Sequence, residues 1–322
     1  MPADDRISPQ SSHEQANGAP ACTTFNEQTS VAWVGVGNTR LNVKANPSDK
    51  VTLPETGTGI ALATFRTRLQ LAWAGTDDNS TLNLISSPDG VAFDPKDKVT
   101  LWGNSVGGGP SAVEFSGRLI LSWSTRSSIR NEQTLNFISS ADGRSFDQPF
   151  VIPETSSSSP AMAVFQNRLY LAWCGTDDRA SINVMSSADG RRFDFRHPEI
   201  LADSSSTQPA LCVLGAELFL AWRGRDAGKS LNVMSTPDGN AFGNKRTYPY
   251  GSLFSPALAR AARSVSTTTT IYLPVSGQGG GIGGVEKVTT TTVTPFQFLT
   301  LAWTANDEAQ NLYSADLAGI PS

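Results

Sequence analysis

A short apolar run that ends in tryptophan recurs through this chain, and it constrains the fold more than any other feature. The tryptophans concerned are Trp33, Trp73, Trp123, Trp173, Trp222 and Trp303, at intervals of 40, 50, 50, 49 and 81 residues. A proline lies thirteen residues before four of them, at Pro20, Pro110, Pro160 and Pro209. A period of about 50 residues is typical of repeat architectures, in which each unit buries its apolar face against its neighbours.

Each repeat contains segments with the pattern of β-strands. Residues 168–173 place large apolar side chains at every second position, which is the period of a half-buried strand. Residues 175–178 form a turn, and residues 182–185 alternate again as a third strand. Segments such as residues 98–101 supply a fourth. Four antiparallel strands in each repeat predict a propeller blade.

The predicted fold is all-β: a single β-propeller of four-stranded antiparallel blades, with six blades favoured and seven left open. Residues 1–19 are predicted to be a polar, disordered tail, and residues 20–322 the propeller. The predicted repeats are 20–59, 60–109, 110–158, 159–207 and 208–254, with an irregular closing region at 255–322. The closing region is one unit with an insertion or two shortened units. Because the first repeat is short, strands from both termini could close the ring.

Composition excludes several classes of partner. Only 17% of residues are charged, the net charge is −4, and no run of Lys and Arg occurs, so nucleic acid is not an expected ligand. No apolar stretch reaches the roughly 18 to 20 residues that cross a bilayer, so membrane insertion is not expected. The first twenty residues lack the apolar segment of a signal peptide. The expected location is cytoplasmic, or exported without a leader, or that of a mature secreted protein.

The cysteines and histidines give no metal-binding pattern. Cys22, Cys174 and Cys212 are odd in number and lack ligand spacing, so we expect small buried apolar residues rather than a disulfide pair. His13 and His197 are the only imidazoles. No metal site and no cofactor is predicted, although a weak Ca²⁺ site at the Asp-rich loops stays open.

A turn motif follows the third strand of four repeats, at residues 87–93, 140–146, 187–193 and 236–242. In each copy Ser or Thr is followed by Asp-Gly and then by a Phe that returns to the core, a combination that suits a tight turn. The motif resembles the Asp-box of sialidase-like β-propellers and blade-repeat propeller lectins, although its Gly follows Asp directly. The resemblance implies a structural role on the ring face away from the ligand, which we call the turn face.

The opposite face, called the loop face, carries the loops between the second and third strands and those between blades. Short polar side chains beside Trp offer hydrogen bonds to hydroxyls and an aromatic surface, as sugars require. The candidate ligand-binding residues are Trp73, Thr76, Asp77, Asp78, Trp173, Thr176, Asp177, Asp178, Trp222, Arg225 and Asp226. Two alternatives stay open: each Trp packs between blades, and the first Asp of each loop forms its own turn.

These near-copies of one shallow site favour multivalent binding, so the predicted function is a carbohydrate-binding, lectin-like propeller with glycans or another polyhydroxylated ligand as partner. One alternative is a sialidase-like glycoside hydrolase that uses loop-face carboxylates such as Asp77, Asp177 and Asp226. The other is a protein-interaction scaffold. No catalytic residue is assigned. The sialidase resemblance implies three arginines around a carboxylate, but the repeated Arg68, Arg118 and Arg168 belong to hairpins of the turn face.

Overall fold

A computed structural model describes residues 8–45, 50–105, 109–126, 133–193, 199–276 and 282–321. Within these ranges the chain forms twenty-three β-strands and one short 3-10 helix, Pro95–Asp97. The all-β prediction is therefore confirmed. No described helix is long and apolar enough to cross a bilayer.

The strands make five antiparallel sheets. The first strand, β1 (Gln10–Gln15), belongs to the sheet formed by the last strands of the chain. A seven-stranded sheet contains β2 (Ala21–Phe25), β3 (Gln28–Val34), β4 (Arg40–Lys44), β5 (Lys50–Phe65), β6 (Arg68–Gly75), β7 (Thr81–Ser87) and β8 (Val99–Ser105). The next sheet contains β9 (Ser111–Phe115), β10 (Arg118–Arg126), β11 (Gln133–Ser140) and β12 (Phe150–Thr155).

Three further four-stranded sheets complete the chain. One contains β13 (Ala161–Phe165), β14 (Arg168–Cys174), β15 (Ser181–Ser187) and β16 (Glu199–Ser204). Another contains β17 (Ala210–Leu214), β18 (Glu217–Arg223), β19 (Ser230–Thr236) and β20 (Gly243–Gly251). The last contains β21 (Ala257–Ser276), β22 (Ile282–Thr304) and β23 (Asn311–Pro321), with β1 at its edge.

The described residues form four four-stranded blades, so the prediction of six or seven such blades is wrong. The reason is β5, which crosses the predicted boundary between the first two repeats without a break. Its first half pairs with β4, where Thr52 lies opposite Asn42, and its second half pairs with β6, where Ile60 lies opposite Trp73. The first two repeats are thereby joined in the seven-stranded sheet.

The sheets form a propeller-like ring. The inner strands β2, β5, β9, β13, β17 and β21 each contact the next, and β21 contacts β2. They enclose a narrow central channel of about 110 Å³ that is lined by Pro20, Pro110 and Pro209 among others. At the outer edge β1 pairs with β23, with Gln10 opposite Ser314, which confirms closure by both termini.

The N-terminal segment supplies a closing strand, and disorder is expected over residues 1–19 only apart from such a strand. Residues 10–15 form β1 and pair with the last blade. The strand satisfies edge hydrogen-bonding groups of β23 that would otherwise face solvent. Residues 1–7 lie outside the described part of the chain.

The closing region forms a single sheet with a long insertion, which is the first of the two predicted alternatives. Residues 271–275 continue β21 and pair with β22. The two strands extend past the body of the blade as a hairpin arm, formed by residues 265–276 and 282–294. The threonine runs pair within it, with Thr267 opposite Thr292 and Thr270 opposite Thr289.

The tryptophans hold neighbouring sheets together. Trp173 of β14 packs with Leu135, Phe137 and Ile152 of the preceding sheet, and Trp222 of β18 packs with Val184 in the same manner. Both indole side chains are only 1% exposed. The alternative in which Trp packs between blades is therefore confirmed, because burying such large rings supplies much of the sheet-to-sheet stabilisation.

All three cysteines are free thiols. Cys174 is buried, and Cys22 and Cys212 are partly buried on inner strands. Burial raises the pKa of Cys174 to about 11 and the pKa of Cys212 to about 12. The thiols are thus neutral at physiological pH, as expected of small apolar residues.

Candidate functional site

The turn after β6 is held by its first carboxylate. Asp77 accepts hydrogen bonds from the backbone N–H groups of Asn79 and Thr81, both at 3.2 Å, and from the Thr81 hydroxyl at 2.7 Å. The hydroxyl bond, more than any other contact, lowers the pKa of Asp77 against the opposing effect of desolvation. This carboxylate stays ionised and shapes its own loop.

The two corresponding turns repeat this geometry. Asp177 accepts from the N–H of Arg179 at 2.9 Å and the hydroxyl of Ser181 at 3.2 Å, and Asp226 accepts from the hydroxyl of Ser230 at 2.9 Å. Desolvation raises the pKa of both carboxyls, but these hydrogen bonds outweigh it and lower the pKa overall. The first Asp of each loop is therefore a turn former.

The remaining loop residues line the surface and link neighbouring blades. Thr76, Asp78, Thr176 and Asp178 are exposed. The hydroxyls of Thr76 and Thr56 lie 2.8 Å apart, and those of Thr176 and Thr155 lie 2.7 Å apart. Arg225 donates to the backbone carbonyl of Asp178 at 3.2 Å, which joins the second and third sets of candidate residues.

Asparagines on the third strand lie directly opposite the tryptophans in five repeats. Each donates its side-chain amide to the carbonyl oxygen of the residue two positions earlier, as Asn83 does to Thr81 at 2.8 Å and Asn183 does to Ser181 at 2.9 Å. The same contact recurs at Asn42, Asn136 and Asn232. These hydrogen bonds hold each amide against its own strand, which is a structural role.

A lysine completes this arrangement in three repeats. Lys50, Lys98 and Lys245 lie over the rings of Trp33, Trp73 and Trp222, each 5.3 to 5.4 Å from the ring centroid. Each ammonium also forms an ion pair with a carboxylate on a strand that precedes it in the ring. The pairs are Lys50 with Glu14, Lys98 with Glu55 and Lys245 with Asp203. We call these three places the Trp–Lys clefts.

A threonine of the fourth strand adds a hydroxyl to each Trp–Lys cleft. Thr100 donates to the side-chain oxygen of Asn83 at 2.9 Å, and Thr52 and Thr247 donate to Asn42 and Asn232 at 2.7 Å. An ammonium, a carboxylate, an amide and a hydroxyl thus converge above a covered indole. Such a group presents directional donors and acceptors to a ligand rich in hydroxyls.

The middle cleft is an open pocket of about 490 Å³. Its lining includes the predicted residues Trp73, Thr76, Asp77 and Asp78, together with Glu55, Asn83, Lys98 and Thr100. The structure therefore brings the first set of candidate residues into one site. Trp73 itself is only 1% exposed, so Lys98 and the polar groups, rather than a bare indole face, form the accessible surface of the pocket.

Sequence reasoning missed the lysines of this site. Their signal is Lys two residues before Thr on the fourth strand, in Lys50-Val51-Thr52, Lys98-Val99-Thr100 and Lys245-Arg246-Thr247. In a strand, residues two apart share one face. Both side chains can therefore reach one cleft. In the other two repeats the Thr position carries Val151 and Ile200, which lie opposite Asn136 and Asn183.

The Ser/Thr-x-Asp-Gly turns have a scaffold geometry on the opposite face. Asp142 accepts from the N–H groups of Arg144 and Ser145 at 2.8 and 2.7 Å and from the Ser140 hydroxyl at 2.9 Å. These bonds lower the pKa of Asp142 to about 2. The same contacts recur at Asp89, Asp189 and Asp238. Each of these carboxylates is occupied by its own turn.

Ion pairs cross between repeats on this turn face. Asp97 accepts from Arg68 of its own repeat at 2.6 Å and from Arg144 of the next. Asp147 likewise pairs with Arg118 at 2.5 Å and with Arg191 at 2.8 Å. Arg68 and Arg118 therefore serve blade-to-blade contacts away from the loop face, as predicted. Among the described residues no group of three or more His, Cys, Asp or Glu could hold a metal ion.

Comparisons with known proteins identify the fold. No protein-family model and no curated protein sequence matches the chain. A subtype N10 neuraminidase-like protein of A/little yellow-shouldered bat/Guatemala superposes with a TM-score of 0.57 at 8% identity, covering 98% of each chain. The Aleuria aurantia lectin, solved as a point mutant in complex with Fucalpha1-6GlcNAc, gives 0.53 at 10% identity over 95% of this chain and 96% of that one.

A third solved structure, AofleA from Arthrobotrys oligospora, gives a TM-score of 0.56 at 9% identity and covers 98% of this chain and 92% of that one. At such identities the likeness concerns the fold alone. The chain is therefore an all-β protein with a propeller-like ring of sheets. It shares this fold with the sialidase-like and lectin structures that it resembles. Its site geometry is a set of repeated polar clefts on one face.

Proposed function

We propose that this protein is a carbohydrate-binding, lectin-like propeller whose sites are the Trp–Lys clefts and neighbouring loops of the loop face. The observation that carries the proposal is the threefold recurrence of one constellation: Trp, Lys and Asn from one repeat with a carboxylate from the preceding strand. Several weak equivalent sites on one face gain avidity on a clustered glycan.

The chemistry of the middle cleft supports a sugar ligand. The Lys98 ammonium, the Glu55 carboxylate and the Thr100 hydroxyl are fixed by contacts to protein groups, so little side-chain freedom is lost on binding. Each also keeps hydrogen-bonding capacity for a ligand hydroxyl, since an ammonium has three donors and a carboxylate about four acceptor positions. The predicted residues Thr76, Asp77 and Asp78 stand at the rim of the same pocket.

Hydrolysis by the loop-face carboxylates has less support. A general acid in a glycosidase needs a raised pKa, whereas hydrogen bonds lower the pKa of Asp77, Asp177 and Asp226. The three carboxylates are also near-copies held in identical turns, while catalysis needs one asymmetric set of groups. Binding is therefore the function that the loop face fits best.

The test is glycan-array binding followed by calorimetry with the sugars identified. The variant K98A should weaken binding to a monovalent sugar at the middle cleft, and K50A and K245A combined with it should abolish retention on clustered glycans. The control is K96A, which removes an exposed lysine from the 3-10 helix two residues away. The proposal fails if no glycan binds at millimolar concentration, or if K96A weakens binding as much as K98A.

A further inference from the structure

One departure from the repeat lies on the turn face, in a pocket of about 520 Å³ between the β13–β16 sheet and the next turn. It is lined by Arg168, Tyr170, Met185, Glu199 and Asn240 together with neighbouring groups, and we call it the Glu199 pocket. Its volume falls in the range of small-molecule sites. The equivalent pocket at an earlier junction of the described chain, beside Arg68 and Arg144, measures about 310 Å³.

Glu199 stands where the first three repeats have an apolar side chain and the fifth has Arg246. It lies opposite Val184, and the matching positions in the first three repeats are Val51, Val99 and Phe150. Those three side chains pack against the hydrophobic core. A carboxylate at this position carries a desolvation cost that the fold itself does not require.

One oxygen of this carboxylate has no partner. Glu199 Oε1 accepts a long hydrogen bond of 3.5 Å from the Phe242 N–H, while Oε2 is buried without any hydrogen-bond donor among the described residues. Desolvation, opposed by the Phe242 bond, raises the pKa of Glu199, and the nearby Asp238 raises it further. An unpaired buried acceptor is uncommon in folded proteins, and a ligand donor would satisfy it.

The second arginine of the earlier junctions is absent at this one. At those junctions an Asp joins the hairpin arginine, Arg68 or Arg118, to an arginine of the next turn. At this junction the next turn carries Asn240 at that position. Arg168 donates its Nε to Ser186 at 2.9 Å, as Arg68 does to Ser86. The second arginine is therefore missing, and its place contributes to the larger pocket.

A guanidinium and a carboxylate thus face one pocket, and no ion pair joins Arg168 to Glu199 among the described contacts. Tyr170 and Met185 also line the pocket, each only 4% exposed. The earlier repeats have Gln70 and Ile120 at the tyrosine position. An arginine fork matches a carboxylate, and a desolvated carboxylate matches an ammonium.

We propose that the Glu199 pocket binds a small zwitterion, with the ligand's ammonium at Glu199 and its carboxylate at Arg168. The site is on the opposite face from the Trp–Lys clefts, so this inference is independent of carbohydrate binding. Of the two charged groups, Glu199 is the one that the repeat does not need for its own packing, since the first three repeats have apolar side chains there. The ligand class is that of compact amino acids whose amino and carboxyl groups are separated by a short chain.

The test is calorimetry with glycine, 4-aminobutyrate and 6-aminohexanoate as zwitterions, and with hexanoate and hexylamine as singly charged analogues. At least one zwitterion should bind at millimolar concentration or better, and at least tenfold more tightly than either analogue. The variant E199Q should weaken that zwitterion tenfold or more, and so should R168M. The control E217Q changes a partly exposed carboxylate of the next repeat and should leave binding unchanged.

A thermal-shift measurement guards against misfolded variants. The bound zwitterion should raise the melting temperature of the wild type and of E217Q but not that of E199Q. Glycan binding should be the same in E199Q as in the wild type, so failure here and failure of the lectin proposal are separate results. The inference is overturned if none of the zwitterions binds, if the singly charged analogues bind equally well, or if E217Q loses binding as E199Q does.

Discussion

The ammonium of Lys98 lies 2.6 Å from a carboxylate oxygen of Glu55, although the two residues are 43 positions apart and belong to different repeats. The pair is held above Trp73, with the lysine nitrogen 5.4 Å from the ring centroid. Both side chains are about a quarter exposed, at 29% and 26%. The contact therefore links neighbouring repeats while remaining accessible from the loop face.

This ion pair should contribute modestly to stability. Replacing Lys98 by Ala removes both the salt bridge and the cation–π contact, and we expect a loss of about 1 kcal/mol in the free energy of unfolding. A double-mutant cycle with E55Q, measured by urea denaturation, should give a coupling energy of roughly 0.5 to 1 kcal/mol. A coupling near zero would show that the pair does not join the repeats.

The buried tryptophans should matter far more. Trp173 is only 1% exposed and packs against the preceding sheet, so W173A should lower the free energy of unfolding by about 3 to 5 kcal/mol. The matched control is Y272A on the hairpin arm, where the aromatic ring is 66% exposed and the expected change is within about 0.5 kcal/mol. Equal losses in the two variants would contradict the packing role.

Two glycines with the same backbone conformation should differ in tolerance to alanine. Gly117 has φ +72° with open space around it, whereas a Cβ on Gly239, at φ +77°, would clash with the Tyr170 hydroxyl. G117A should cost about 1 to 2 kcal/mol from backbone strain alone. G239A should lower the free energy of unfolding clearly more than G117A does. In the double variant G239A/Y170A the loss should be smaller than the sum of the two single losses, because the clash disappears.

Acid should weaken the turn face in a defined pH window. Hydrogen bonds from the N–H groups of Ser145 and Arg144 lower the pKa of Asp142 from 3.8 to about 2. Because the pKa of the folded state is depressed, the stabilisation is present above about pH 4 and is lost as the pH falls through about 2. Stability measured from pH 5 to pH 2 should fall less steeply in D142N. Parallel curves for the two proteins would contradict this.

The hairpin arm should be dispensable for the ring. Ile271, Tyr272, Leu273 and Val293 are among its exposed apolar residues, and an isolated two-stranded ribbon adds little to stability in water. Replacing residues 265–294 with an Asn-Gly turn should leave the free energy of unfolding within about 1 kcal/mol, because a two-residue turn fits antiparallel strands. A loss of cooperative unfolding would show instead that the arm supports the ring.

Strand identity and turn chemistry could be predicted because their causes are local. The alternation at residues 168–173 gave β14, and the Asp-Gly pairs gave turns in which Asp142 accepts from the next backbone N–H groups. Closure by β1 also followed from the short first repeat. The blade count did not follow, because the continuity of β5 depends on pairing with two different partners at once.

The candidate site was predicted only in part, because only some of its residues are close together in sequence. Trp73, Thr76, Asp77 and Asp78 lie together because they are close in sequence. Lys98 and Glu55 come from other strands, and no local pattern shows that a fourth strand and the strand of the preceding repeat meet above one indole. Ligand binding by all of these residues stays a prediction.

By itself, the sequence determined the strands, the turns and the ring-forming repeat, since each depends on side-chain alternation and backbone preferences within a few residues. Only the tertiary structure decided which charges meet across repeats. It paired Lys98 with Glu55 on one face, and it left an oxygen of Glu199 unpartnered among the described residues on the other. Electrostatic pairing depends on distances of a few ångströms between strands that are remote in sequence, and packing sets those distances.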